Sequence, residues 1–313
     1  MRGLDGYRAA FPSVFAGMEG GDDRVARRVV QAAHSSVLEG WEPTDEEMGA
    51  LAADVRRPEP SRMGAREIEA MVAELAPSDG ESRDTRTQKT QQTQRTQQLP
   101  QSPAANPAAA WRRYFYPGTG VLRNRLGIRA AQPLSVAEHR MTSRLGADLA
   151  DLAVEGELHG ETTSEKLAWI HAELFGGIYD FAGTFRDVNM TKGGQSFGDH
   201  ASMGMYLRQV DGLIRRVDWD GAGFAQTVDG LAEVHTDLNF AHPAREGNGR
   251  TGRLFMTDLA ARHGVVLDFS AVDRESWIAA SAATFGDAQG LRMDTGPMEE
   301  VYRRIARPRS PRS

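Results

Sequence analysis

Apolar residues recur at three- and four-residue intervals through most of the chain, a spacing that predicts a mainly helical protein. GDDRVARRVVQAAHSSVLEG (21–40) opens on acids suited to a helix N-terminus and sets Val25, Val29, Ala32 and Ser36 along one face. Gly40 falls at the C′ position. Thr44 followed by Glu47 spells a capping box, so a second helix starts within EPTDEEMGALAADV, and SRMGAREIEAMVAEL supplies a third. Three short helices in about 75 residues make a marginal core, so this unit is expected to dock on something larger. Farther on, SEKLAWIHAELFGG and FAQTVDGLAEVHTDLNFAHP keep the helical period, with Val228, Leu231, His235 and Leu238 on one face of the latter. TFRDVNMTKGGQSF departs from it, alternating around Lys192, Gly193 and Gly194 as a β-hairpin does. The expected class is therefore mainly α with one hairpin.

Composition divides the chain. APSDGESRDTRTQKTQQTQRTQQLPQSPAANPAAA (76–110) is rich in Gln, Thr, Ser and Pro and nearly empty of large apolar side chains. Such a segment buries too little surface to offset its ordering entropy and is expected to be a flexible linker. It separates a small helical unit (1–75) from a larger one (111–307), with 308–313 expected as a disordered tail. A net charge of −6 argues against a general nucleic-acid binder while leaving room for a local basic patch. There are no cysteines, which excludes disulfide scaffolds and zinc–thiolate sites. Asp5 and Arg8 interrupt what a signal peptide would need to keep apolar, and no stretch approaches the roughly 20 apolar residues of a membrane span. A soluble, cytoplasmic protein is expected, without membrane contact.

The densest chemistry lies in AHPAREGNGRTGR (241–253). His242 ends one predicted helix and NGRTGRLFMTDLAARHG begins another, so Gly247, Asn248 and Gly249 fall at a helix N-terminus. Unpaired N–H groups and the helix dipole favour a phosphate there, and glycine lets the backbone approach it. Arg250 and Arg253 lie in the first turn, where cations oppose the dipole unless an anion compensates them. Glu246 can hold Mg²⁺, which takes one or two carboxylates plus phosphate and water oxygens. His242 can take a proton from an attacking hydroxyl. A lone His or Gly-Asn-Gly would read as an ordinary polar junction; the combination reads as a nucleotide-dependent transfer site.

HPAREGNGRTGR resembles the signature of Fic-domain proteins, His-x-Phe-x-(Asp/Glu)-Gly-Asn-Gly-Arg-x-x-Arg. The likeness extends over 114–307, including YPGTGVLRNRLGI and ELFGGIYDFAGTFRDVNMTKGGQSF. It implies a helical bundle with a β-hairpin flap and transfer of AMP from ATP to a Tyr, Ser or Thr hydroxyl of a target protein. By the same resemblance His242 is the base and Glu246 the Mg²⁺ ligand. Gly247, Asn248, Gly249 and Arg250 hold the phosphates and Arg253 the γ-phosphate. The flap residues Lys192, Gly193 and Gly194 align the target over the nucleotide, by strand addition. The departure is Ala244, where the family has a core-anchoring Phe; a vacated core volume of that size costs about 3–5 kcal/mol if nothing refills it.

SSVLEG (35–40) matches the inhibitory pattern (Ser/Thr)-x-x-x-Glu-(Gly/Asn) of regulated Fic proteins, and the segment after it resembles the antitoxin of two-gene Fic modules. The resemblance implies that Glu39 pairs with Arg253 and displaces the γ-phosphate, with Ser35 placing the helix. A tether keeps such a brake at high effective concentration. Resemblance to toxin modules points to a bacterial housekeeping target, with a subunit of DNA gyrase or topoisomerase IV favoured, and to no direct contact with nucleic acid. Two other readings stay open at this level: Glu39-dependent removal of AMP, and a module made catalytically inert by Ala244.

Overall fold

A computed structural model describes residues 2–18, 23–56, 63–75, 107–285 and 293–310. Among these the fold is helical with two small antiparallel ladders, in keeping with the expected class. The small unit contains α1 (Gly3–Ala10), α2 (Pro12–Phe15), α3 (Asp23–Val37), α4 (Asp45–Val55) and α5 (Ala65–Leu75). The sequence reading anticipated the last three. The first two are short, divided at Phe11-Pro12, and carry too few turns to show a period. The capping box forms as read: Thr44 Oγ1 accepts from Glu47 N–H at 3.2 Å, and Thr44 N–H donates to Glu47 Oε2 at 2.8 Å. Gly40 closes the turn after α3 with φ +104°, a conformation that favours glycine.

The larger unit begins with α6 (Pro107–Arg113), so the expected linker boundary at 110 moves: Pro107 and the alanines after it start a helix. The rest of that linker, 76–106, lies outside the described residues. The bundle then runs through α7 (Ala131–Glu155), α8 (Thr163–Phe175), α9 (Met203–Arg216), α10 (Phe224–Ala241), α11 (Asn248–Arg262), α12 (Arg274–Ala283) and α13 (Gly296–Ile305). Helix α11 is its axis, buried at eleven of fifteen positions and packed against α7, α8 and α10. The predicted hairpin is β1 (Thr191–Lys192) with β2 (Gln195–Ser196); Gly193 and Gly194 form its two-residue loop at φ +59° and +82°.

A second ladder went unread. β3 (Val265–Leu267) pairs with β4 (Ala306–Pro308), and Arg309 N–H donates to the Gly264 carbonyl at 2.8 Å. The tail expected to be disordered from 308 is thus corrected: its first residues are held by backbone hydrogen bonds, and only 311–313 lie outside the described residues.

The small unit has its own core around Tyr7, Phe15, Met18, Val29 and Met48, yet it docks as anticipated. Helix α3 lies along α7, where Ser36 Oγ and Ser143 Oγ stand 2.9 Å apart and Arg28 pairs with Asp151. Leu38, just past α3, belongs to the core of the larger unit. No helix among the described residues is long and apolar enough to cross a membrane.

Candidate functional site

The site is built where α10 ends and α11 begins. His242 caps α10 with φ +45°, the one non-glycine residue with positive φ among those described. Such a conformation in a bulky residue persists only when its surroundings hold it. Arg186, itself 3% exposed, does the holding: its Nε donates to the His242 carbonyl at 2.8 Å, and its other nitrogens reach the carbonyls of Val188, Gly198 and Ala241. The His242 ring lies flat on Phe197, centroids 3.8 Å apart. Burial, then the Arg186 charge, depress its pKa to about 3, so the imidazole is neutral at ordinary pH and able to accept a proton.

The loop 243–247 is short and internally tied. Asn248, first residue of α11, turns its amide back: Oδ1 accepts from Ala244 N–H and Nδ2 donates to the Ala244 carbonyl, both at 2.7 Å. This pair of bonds fastens the loop at the position where the Phe is missing. Gly247 has φ +81°, and a Cβ there would meet the Phe175 ring at 2.3 Å. His171 of α8 reaches the loop from below, accepting from Gly183 N–H through Nδ1 and therefore donating through Nε2 to the Glu246 carbonyl at 2.9 Å. Arg245 lies over the rings of Trp111, Phe115 and Tyr114.

A cavity of about 430 Å³ opens above this loop. His242, Ala244, Asn248, Gly249, Lys192, Gly193 and Glu39 line it, together with His235 and Trp277 on one side and Leu167, Ala168 and His171 on the other. The predicted residues divide here. Gly194 stays in the flap loop away from the wall. Glu246, Gly247, Arg250 and Arg253 are not wall residues. Arg250 turns into the core, pairs with Glu138, donates to Thr142 Oγ1 at 2.8 Å and lies over Phe175 at 4.8 Å. Glu138 also accepts from the Tyr179 hydroxyl. The compensating anion for Arg250 is therefore a buried carboxylate.

Arg253, 3% exposed, faces the small unit. Its Nε donates to Ser35 Oγ at 3.1 Å, one terminal nitrogen donates to the Ser35 carbonyl at 2.6 Å, and the other stands 2.9 Å from Glu39 Oε1. That last contact is a charge pair whose angle falls short of a good hydrogen bond. The same Glu39 oxygen would lie 1.8 Å from a Cβ built on Gly249. The carboxylate thus sits at the N-terminal turn of α11, where free N–H groups and the dipole favour it. Burial alone would raise its pKa, but the charges of Arg253 and Arg250 outweigh burial and hold it below the usual carboxylate range.

Glu246 is the one carboxylate in the loop. Its Oε1 accepts from Gly247 N–H at 3.0 Å, while burial and the Glu138 charge raise its pKa. No cluster of three or more His, Cys, Asp or Glu among the described residues could hold a metal. Mg²⁺ takes one or two protein carboxylates with phosphate and water for the rest, and Glu246 is the one the loop offers, its Oε1 here bonded to Gly247 N–H and off the cavity wall.

Sequence reasoning missed Arg186, His171, Glu138 and Phe197. His171 had a signal, a polar residue on the apolar face of Leu167 and Leu174; Arg186 had none, because its role is to bond carbonyls set by tertiary structure.

Residues 161–260 match the Fic/DOC family. The chain is 34% identical over 187 residues to a probable protein adenylyltransferase Fic of Salmonella typhimurium, covering 57% of this chain and 88% of the relative. The chain belongs to the Fic/DOC family. Its structure resembles the N-terminal Fic domain of a Bep effector from Bartonella quintana, solved with bound ADP (TM-score 0.54, 26% identity, 63% of this chain and 95% of that one). A Fic-domain signaling protein from Bacteroides thetaiotaomicron covers 96% of this chain and 92% of its own at TM-score 0.52; with 11% identity it speaks to fold alone.

Proposed function

We propose that the chain is a protein adenylyltransferase, moving AMP from ATP to a Tyr, Ser or Thr hydroxyl of another protein, and that it carries its own brake. The observation supporting this most directly is the Glu39 carboxylate against Gly249 and Arg253, an anion already seated at the helix N-terminus that would receive phosphate. In the transfer, neutral His242 takes the proton of the acceptor hydroxyl. The hydroxyl oxygen bonds to the α-phosphorus, the bond to the bridging oxygen breaks, and pyrophosphate leaves. Backbone N–H groups of Asn248 and Gly249 hold the phosphates, Gly247 supplies the left-handed turn that starts α11, and Arg250 supports the loop from within through Glu138. Glu246 would hold Mg²⁺, which neutralises phosphate charge when bound. Lys192 and Gly193 line the cavity and Gly194 completes the turn behind them, so an extended target segment would add to the flap edge.

With Glu39 in place, its carboxylate takes the position beside the Arg253 guanidinium that a γ-phosphate would take, and ATP adopts an unproductive pose. Residues 1–75 are the antitoxin-like part and 111–307 the toxin-like part of one tethered device, working in the cytoplasm. A gyrase or topoisomerase IV subunit is the favoured target. The test is ATP labelled on the α-phosphate, added to bacterial lysate with wild type, Glu39→Gly and Glu39→Gly/His242→Ala. Protein label in Glu39→Gly alone supports transfer, base and brake together; label absent from all three removes the transferase reading.

A further inference from the structure

The chain has a net charge of −6, yet between Asp84 and Glu138 it contains no acidic residue and eight Lys or Arg. A solvated helix face ordinarily mixes both signs, so this segregation needs another explanation. Five of the eight are described and exposed: Arg112, Arg113, Arg123, Arg125 and Arg129. Two are neutralised within the fold, Arg113 by Asp187 at 2.6 Å and Arg125 by Asp180 at 2.8 Å. The other three face no carboxylate within 4.0 Å among the described residues. Two of those three are held in place. Arg129 lies over the Tyr116 ring at 4.9 Å and Arg123 over the same ring at 6.0 Å, and Arg123 Nε donates to the Phe115 carbonyl at 2.9 Å. Ordering these long side chains before any partner arrives lowers the entropy cost of binding.

The surface also adjoins the site. Tyr114 hydroxyl and Arg113 both donate to Asp187, the neighbour of the Arg186 that supports His242 and four residues before β1 of the flap. On the other side, Trp111, Tyr114 and Phe115 cover Arg245 of the catalytic loop. An anion placed here is therefore beside the target-aligning hairpin rather than in the nucleotide cavity.

We infer that Arg112, Arg123 and Arg129 form a docking surface for an acidic segment of the protein substrate, set beside the flap. The inference rests on the transferase reading for the word substrate. Protein is favoured over nucleic acid because the aromatic rings of the segment already hold arginines of this chain, Arg129 over Tyr116 and Arg245 over Trp111, and so are engaged where bases would stack. The surface steers and orients the target, and the flap then aligns its hydroxyl.

The test uses the full chain without ATP, so that it stands apart from the chemistry. The probes are a fluorescein-labelled deca-glutamate peptide, a Gly/Ser peptide of equal length, and a thymidine oligonucleotide of equal charge, followed by anisotropy at two salt concentrations. Deca-glutamate should bind at least about tenfold tighter than the neutral peptide and weaken with salt. That preference should vanish both in the triple variant Arg112→Glu/Arg123→Glu/Arg129→Glu and in its Arg→Gln counterpart. The exposed arginines of α9 give a control of identical charge change, Arg208→Glu/Arg215→Glu/Arg216→Glu, which should retain it. An equal loss in that control, no binding of deca-glutamate, or tighter binding of the oligonucleotide each overturns the inference. Label transfer in Glu39→Gly reports separately on the transferase reading.

Discussion

Glu39 and Gly249 are in contact across the two units: the smallest side chain that could be placed at 249 would put its carbon 1.8 Å from the Glu39 carboxylate. One helix ends where the other begins, and the carboxylate bridges the negative end of α3 and the positive end of α11. Removing it leaves Arg253 buried without its counter-charge, a situation that costs about 3–5 kcal/mol. ATP phosphate can relieve that cost in Glu39→Gly and not in wild type. ATP with Mg²⁺ should therefore raise the thermal midpoint of Glu39→Gly well above its effect on wild type; equal shifts would show that Glu39 and nucleotide do not compete.

The same contact fixes how the proposed brake answers to pH. The Glu39 pKa is depressed in the docked state, so the stabilisation is complete above the ordinary carboxylate range and is lost only as pH falls through the depressed value. Acidification from pH 8 to 6 should leave wild-type transfer as low as before. In Glu39→Gly, His242 also loses a charge that raises its pKa, so the base stays neutral and the rate should show no acid limb from it in that window. A wild-type rate that climbs between pH 8 and 6 would contradict the assignment.

His34, one residue before Ser35, is 1% exposed and bonded at both nitrogens: Nε2 donates to the Val272 carbonyl at 2.8 Å, and Nδ1 accepts from the Tyr7 hydroxyl at 3.0 Å. It ties α1, α3 and the larger unit at one point. His34→Phe leaves the Val272 carbonyl unpaired across the two units, a loss of about 1–3 kcal/mol in docking, and separately leaves the Tyr7 hydroxyl unpaired within the small unit. Transfer should rise in the His34→Phe single variant and be unchanged when the substitution is added to Glu39→Gly. A rise in both backgrounds would place the effect on catalysis instead.

Four histidines are buried, His242 is half-buried at the cavity, and all five are neutral: loss of solvent brings His34, His139 and His171 to about 4, and His235 and His242 to about 3. Their folded values lie below the unfolded one near 6.5, so the unfolded chain binds more protons and stability falls as pH drops from there. Each group costs ~1.4 kcal/mol per pH unit in that interval. Thermal unfolding should show a midpoint level above pH 7 and falling steeply toward pH 5. A midpoint flat from pH 7 to 5 would mean that these rings are reached by water.

Ala244 is 5% exposed and shares the cavity wall with Leu167, Ala168 and His171. The Asn248 amide ties the loop at its backbone, so the loop keeps its course while volume beside it stays open. Ala244→Phe should raise stability by about 1–2 kcal/mol, measured by chemical denaturation. A lower stability would show that the space beside Ala244 is too small for the ring.

What could be read from the chain beforehand followed from local rules. The capping box at Thr44 and Glu47, the Gly193-Gly194 turn and the Gly-Asn-Gly helix start are each specified within four residues of sequence. Glu39 and Ser35 came from a motif. What stayed hidden is non-local. Arg250 looked like a phosphate ligand because Glu138, 112 positions earlier, carries no sign in sequence that it points at it. The β3–β4 ladder pairs 265–267 with 306–308, and neither strand alone is long enough to show alternation.

Helix α3 and Glu39 precede α11 by more than two hundred positions in the chain. Synthesis runs in that direction, so α3 has left the ribosome well before Arg253 is made. On the proposed reading, each molecule is born with one inhibitor for one catalytic centre, a stoichiometry that neither gene dosage nor proteolysis of a separate partner can upset.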